Sequence, residues 1–184
     1  VNLSANDGAI VLATLPAQVS GSTLTLSASN SSAVNTSVTA LSGTISAAGE
    51  KLTVSESGSL LIGQNITTNG GDVILSAGGG VSTAVDAKVS AKSVTLTAQN
   101  ASTLNTSIDV LVASIEGTGE GLTVTEEDSL TIGTGNVSTV DGNVSLTVLT
   151  GNLVRDGEIQ AGNGTASLSI AGGEVIGIGN ISAR

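Results

Sequence analysis

The feature that most constrains the fold is an internal repeat of 70 residues. Residues 23–63 align with residues 93–133 without a gap, and 20 of the 41 aligned positions are identical. After one inserted residue the similarity continues, so that 65–75 matches 136–146, and a partial third copy surrounds 166–169. Long internal repeats are the sequence signature of stacked structural units, in which each unit covers its neighbour. The repeat therefore predicts a solenoid.

A shorter period lies inside the repeat. We call the last residue of each short apolar strand an anchor residue. The eight anchor residues lie 14 to 28 positions apart, mostly at spacings close to multiples of seven: Leu12, Leu26, Val54, Leu75, Leu96, Val124, Leu146 and Leu168. A short strand plus a turn takes about seven residues, and apolar and hydroxyl side chains alternate within the strands. We therefore predict an all-β, parallel β-solenoid of about eight rungs. Its coils have roughly 21 to 28 residues, and the eight anchor residues stack in one column.

Composition fits a narrow interior. The chain has no Phe, Tyr, Trp, Met, Cys or His, so Leu, Ile, Val and Ala must form the core, with 25 Gly available for corners. Disorder is the rival interpretation for a chain rich in Ser, Thr, Gly and Asn, but β-branched residues recur here in register. We predict one domain, 1–184, with a partial first rung at 1–22, copies at about 23–92 and 93–164, and a partial copy at 165–184.

The charge balance restricts the partners. The formal net charge is −10, and the only cations are Lys51, Lys88, Lys92, Arg155 and Arg184. Binding to a phosphate backbone needs clustered Lys and Arg, so we expect no nucleic-acid partner. No apolar run approaches the length of a membrane span, and we expect none.

The sequence offers little for catalysis. His and Cys are absent, and the densest carboxylate cluster, Glu126–Asp128, corresponds to Glu56–Gly58 in the earlier copy, so the cluster as a whole is not repeated. Adjacent side chains on a strand point to opposite faces. We interpret the cluster as a solvated turn and expect no enzymatic activity.

Calcium is a weaker candidate ligand. Asp7, Asp72, Asp141 and Asp156 lie near glycines at turns, and hard cations prefer carboxylate and carbonyl oxygens. The glycine-rich calcium nonapeptide and the EF-hand spacing are both absent. We expect no cofactor, and casual surface binding of Ca²⁺ stays open.

One motif is over-represented. Of 13 Asn, ten begin Asn-x-Ser/Thr: Asn2, Asn30, Asn35, Asn65, Asn100, Asn105, Asn136, Asn143, Asn163 and Asn180. Chance predicts about three to four, since Ser and Thr make up 49 of 184 residues. A preference of Asn for turns, followed by Ser or Thr in the next strand, raises that number. We still predict N-glycosylation at some of these sites, and therefore a location outside the cytoplasm.

Two stretches carry a family resemblance. Residues 69–77 (NGGDVILSA) and 89–98 (VSAKSVTLTA) resemble the repeats of filamentous haemagglutinin-like adhesins of the two-partner secretion type. That resemblance implies a right-handed parallel β-helix forming the fibrous stem of a secreted protein, sometimes N-glycosylated. The acidic, repetitive and sequon-rich chain is also similar in style to glycosylated sheath and surface-layer proteins of archaea, and both families stay open.

These observations favour a structural protein of the extracellular cell surface. Solenoids turn short-range stacking into length and rigidity. Neither Val1–Leu3 nor Val175–Ile178 offers a polar cap, so either the chain belongs to a longer solenoid or its ends pair with copies of itself. We expect assembly into a filament, sheath or envelope layer. The alternatives are a stem fragment of a large adhesin, or a β-helix that binds or cleaves polysaccharide.

Overall fold

A computed structural model describes residues 1–14 and 18–183. Pro16, expected between two strands, and the cation Arg184 lie outside the described residues. The described part contains no helix and eighteen strands. They are β1 (Asn2–Ala5), β2 (Val11–Leu12), β3 (Val19–Ala28), β4 (Ser32–Ile45), β5 (Leu52–Glu56), β6 (Leu60–Thr68), β7 (Asp72–Ala77), β8 (Val81–Thr83), β9 (Val89–Ala98), β10 (Ser102–Thr118), β11 (Leu122–Glu126), β12 (Leu130–Val140), β13 (Val144–Val148), β14 (Leu153–Arg155), β15 (Ile159–Gln160), β16 (Ala166–Ile170), β17 (Val175–Gly177) and β18 (Ile181–Ser182).

Every strand pairs in parallel with strands of the neighbouring coils. Leu52 pairs with Val73 and Val73 with Val94, so that each step advances 21 residues along the chain. Parallel pairing at this spacing requires the chain to circle once between partners. The prediction of an all-β, parallel β-solenoid of about eight rungs is confirmed.

The strands form two ladders, which we call the first and the second. The first ladder contains β1, the later parts of β3 and β4, β6, β8, the early parts of β9 and β10, β11, β13 and β16. The second contains β2, the early parts of β3 and β4, β5, β7, the later parts of β9 and β10, β12, β14, β15, β17 and β18. Inward Leu, Ile and Val side chains from both ladders form one buried core.

The 70-residue repeat spans about three and a half coils. Leu24, Leu41, Ile62 and Thr83 stack in the first ladder, whereas Val94, the repeat equivalent of Leu24, lies in the second. In the same way β5 belongs to the second ladder and its equivalent β11 to the first. The second copy of the repeat is thus shifted by half a coil.

This shift overturns the predicted single column of anchor residues. Leu12, Val54, Leu75 and Leu96 share one column of the second ladder. A column of the first ladder holds the last three anchors, Val124, Leu146 and Leu168, and Leu26 stacks elsewhere, on Gly43. Strands of both ladders show the same apolar alternation, so spacing along the chain cannot assign a strand to a ladder.

Glycines at two equivalent corners let the coils stack closely. A Cβ on Gly71 would come within 1.7 Å of the Glu50 carbonyl oxygen, and one on Gly142 within 1.8 Å of the Glu120 carbonyl oxygen. Both distances are far inside van der Waals contact, so no other residue fits without moving the backbone. Gly71 and Gly142 therefore set the approach of successive coils at these turns.

Candidate functional site

The ten sequon asparagines lie on the outside of the solenoid. Asn35, Asn105 and Asn136 are half-buried. The remaining seven are exposed: Asn2, Asn30, Asn65, Asn100, Asn143, Asn163 and Asn180. They are spread over both ladders and several corners instead of forming one patch. Their glycosylation stays a prediction.

The carboxylates of the cluster Glu126–Asp128 point apart. Glu127 and Asp128 are exposed, as expected for a solvated turn, whereas Glu126 is 0 % exposed and faces the interior. The interpretation as a wholly solvated turn is therefore wrong for Glu126. Its repeat equivalent Glu56 is also buried, at 4 % exposure, so this one position of the cluster is repeated after all.

Glu126 accepts backbone hydrogen bonds from two coils. Its two carboxylate oxygens each lie 3.2 Å from the Ile108 nitrogen in the previous coil, and Oε1 lies 2.9 Å from the Glu127 nitrogen and 3.3 Å from the Asp128 nitrogen. Burial raises the pKa of Glu126 to about 7, against the lowering effect of the Thr106 hydroxyl and of these N–H groups. The side chain therefore carries a proton over much of the range below neutral pH.

Glu56 plays the same part in the other ladder. Its Oε2 accepts the Val38 N–H at 2.9 Å, and its Oε1 accepts the Gly58 N–H at 3.0 Å and the Ser57 hydroxyl at 3.3 Å. Strand β5 ends at Glu56. The Glu56 carboxylate therefore accepts the Val38 N–H in place of the backbone carbonyl that a longer strand would have supplied. One feature of the sequence could have identified both residues. Glu occupies this aligned position in both copies, although the two residues that follow it differ between the copies.

A surface groove of about 450 Å³ lies on the first ladder. Residues 84–88 project beside Asn105 and form one wall, with Val85 93 % exposed. Lys88 and Glu127 form an ion pair, with Nζ and Oε2 2.5 Å apart, that joins the coil before Asn105 to the coil after it. The hydrogen bond from Lys88, with its charge, lowers the pKa of Glu127.

Two of the four aspartates considered for calcium, Asp72 and Asp141, accept hydrogen bonds from neighbouring coils. Asp72 accepts the Ser93 hydroxyl at 2.7 Å, and Asp141 accepts both the backbone and the side-chain N–H of Asn163 at 2.9 Å. Within residues 1–14 and 18–183, no three side chains of the metal-binding types come together.

Both ends of the described solenoid present sheet edges. Strands β1 and β2 pair only with the following coil, and β16, β17 and β18 only with the preceding one. The last coil exposes the apolar side chains Val175, Ile176, Ile178 and Ile181. Unpaired edges of this kind can accept another strand.

Comparison with known proteins adds no family assignment. None of the described residues belongs to a helix that could cross a bilayer. No protein-family model, no curated protein and no solved structure matches the chain.

Proposed function

We propose that this protein is a non-catalytic structural protein of the extracellular surface, which stacks end to end into a filament, sheath or envelope layer. The supporting observation is that both ladders extend from the first described coil to the last and leave an edge open at each end. Backbone N–H and C=O groups on such edges are satisfied by a further parallel coil. In the proposed assembly, another molecule of the same protein supplies that coil.

The core columns support a head-to-tail contact. The column that begins at Leu3 ends at Ile170, and the column that begins at Leu12 ends at Ile181. Placing the first coil of one molecule on the last coil of another continues both core columns, since apolar residues stand at both ends of each. A head-to-tail contact that does not close into a ring produces an open filament.

Charge and sequons support a surface location. The net charge of −10 makes the sides of neighbouring filaments repel, which limits lateral clumping. The excess of Asn-x-Ser/Thr motifs favours a glycosylated protein outside the cytoplasm. Intact mass of protein from its native source tests this part, because a mass equal to the bare polypeptide would contradict glycosylation.

Electron microscopy and sedimentation of the 184-residue chain test the assembly. We expect filaments or layers from the unmodified chain, and loss of assembly in the double variant Val175→Lys with Ile181→Lys. Ile181 ends one of the two core columns and Val175 is exposed on the same last coil, so both charges would face the next molecule. Val85→Lys is the matched control, since Val85 is exposed but lies far from either end. Single-chain particles from the unmodified protein, or filaments from the double variant, would refute end-to-end stacking.

Polysaccharide binding is the second candidate, and the groove at Asn105 is the observation that favours it. Amide, ammonium and carboxylate groups lie there beside the exposed apolar side chains Val85 and Leu149, a combination that suits sugar rings. A carbohydrate array probed with the chain and with Lys88→Ala tests this. Binding that the variant loses supports the candidate, and no binding by either protein removes it.

A further inference from the structure

We infer that Asn30 and Asn100 do not accept N-linked sugar on the folded chain, because the serine of each motif holds successive coils together. This inference rests on the proposed surface glycoprotein and sorts its ten candidate sites. The two asparagines are repeat equivalents, 70 residues apart, and both are exposed. Exposure of the asparagine alone would favour transfer at both sites, so the hydroxyl two residues later must decide.

The chemistry of transfer sets the requirement. A bond forms between the asparagine Nδ2 and the anomeric carbon of a sugar that is activated as a phosphate ester. The bond from that carbon to the phosphate oxygen breaks, and its electron pair leaves with the phosphate. One Nδ2 proton passes to a base of the transferase. The enzyme must also reach the Ser or Thr hydroxyl two residues later, which defines the motif.

The motif hydroxyl of Asn100 is buried and has partners on two sides. Ser102 is 3 % exposed. Its hydroxyl donates to the Asn100 carbonyl oxygen at 3.1 Å and accepts the Val81 N–H of the previous coil at 3.0 Å. The Ser102 backbone N–H donates to the Gly121 carbonyl oxygen of the next coil at 2.9 Å. Ser102 therefore links three successive coils, and its hydroxyl is closed to an enzyme.

Ser32 makes the same contacts in the first copy. It is 2 % exposed, and its hydroxyl donates to the Asn30 carbonyl oxygen at 3.0 Å and accepts the Ile10 N–H at 2.9 Å. Its backbone N–H donates to the Lys51 carbonyl oxygen at 2.9 Å. The arrangement survives the half-coil shift, since β4 begins on the second ladder and β10 on the first. In both copies the hydroxyl supplies the acceptor that a backbone N–H of the previous coil needs.

Asn143 is the matched site that meets the requirement. Like Asn100 it is exposed and begins an Asn-x-Ser motif at the start of a strand. Val144 is buried and is the first residue of β13, so that Ser145 lies on the outer face. The Asn143 Oδ1 accepts the Thr165 backbone N–H at 2.9 Å and the Thr165 hydroxyl at 3.0 Å. These donors fix the oxygen, and Nδ2 is directed away from them.

The direction of the motif side chain separates the two unreactive sites from the others. After Asn100 the exposed Ala101 precedes the inward-facing Ser102, which is the opposite order to that after Asn143. All ten motif hydroxyl residues lie within the described ranges, and among them only Ser32 and Ser102 are buried. A buried motif hydroxyl is therefore a property of this one repeated corner.

A soluble asparagine glucosyltransferase with nucleotide-activated glucose tests the inference on unglycosylated, folded chain. Peptide mass spectrometry gives the occupancy of Asn100 and Asn143, and peptides 95–104 and 138–147 correct for the intrinsic reactivity of each motif. After this correction we expect Asn143 to exceed Asn100 by about tenfold or more, because exposing the Ser102 hydroxyl breaks two hydrogen bonds of a buried group. Asn30 should remain as low as Asn100. Equal corrected occupancy of Asn100 and Asn143, or no transfer to Asn143, would overturn the inference.

Two serine variants give a second, independent readout. Ser102→Ala leaves the buried Val81 N–H without its acceptor and should lower the thermal midpoint by about 4 °C or more. Ser145→Ala is the matched control, since it removes a motif hydroxyl from the outer face, and should change the midpoint by about 1 °C or less. Equal midpoints would contradict the linking role of Ser102. A bare native mass would instead refute the glycoprotein part of the proposed function and leave these results intact.

Discussion

Residues 23–63 and 93–133 share 20 of 41 positions, yet equivalent strands lie on opposite ladders of the solenoid. What the copies keep in common is local: inward Leu and Val, a buried Glu at the end of a strand, and glycine at a tight corner. What differs lies on the surface, such as the ion pair of Lys88 and Glu127, whose equivalents in the first copy are Gln18 and Ser57. The comparison shows that a solenoid repeat can reproduce its own backbone without reproducing its surface.

The largest expected effect tests whether the shared corners are equivalent. Gly71→Ala and Gly142→Ala should each lower the free energy of unfolding by about 3 kcal/mol or more, because the new methyl group overlaps a backbone carbonyl. Gly8→Ala is the control, since no atom lies within 4 Å of its Cβ position, and should change stability by about 0.5 kcal/mol or less. Denaturant unfolding measures all three. A corner variant as stable as the control would break the equivalence of the copies.

Glu126 should make the stability of the fold depend on pH. The folded-state pKa of Glu126 is raised from 4.5 to about 7, so its stabilising contribution is complete below pH 4.5 and is lost as pH rises through 7. The thermal midpoint should therefore fall between pH 5 and pH 8. Glu126→Gln should flatten this fall, because glutamine does not titrate.

Glu56→Gln is the matched control for that profile, since it replaces the equivalent carboxylate of the other ladder. We expect it to keep the fall in midpoint between pH 5 and pH 8. The pKa values of Glu50 and Glu127 are lowered, so their contributions are lost only as pH falls below this window. A Glu126→Gln profile with the slope of the unmodified protein would disprove the role of Glu126.

The smallest expected effect concerns the ion pair that only the second copy has. Glu127 corresponds to Ser57 in the first copy, so the bond to Lys88 has no counterpart there. Both side chains are partly exposed. Lys88→Ala should therefore lower the free energy of unfolding by about 1 kcal/mol or less, and this loss should be smaller at high salt. Lys51→Ala, which removes an exposed lysine outside any ion pair of the described chain, should show no salt-dependent change. Thermal midpoints at low and high salt distinguish the two variants.

The sequence by itself determined the regular part of this protein. Alternating Leu, Val and Thr at a spacing near 21 residues permits only stacked parallel strands, because each apolar face needs another coil to cover it. A core without aromatics had to be narrow, and glycines marked the corners. These features depend on residues close together along the chain, which is why the solenoid and its coil length could be read in advance.

Only the tertiary structure decided which ladder each strand joins, and with it the surroundings of Glu126 and Glu56. The alternation is the same on both ladders, so the half-coil shift between the copies leaves no mark in any short stretch of sequence. Glu126 accepts the Ile108 N–H in the first ladder, whereas its repeat equivalent Glu56 accepts the Val38 N–H in the second. Stacking between coils, and not the residues close by along the chain, assigns each copy to its ladder.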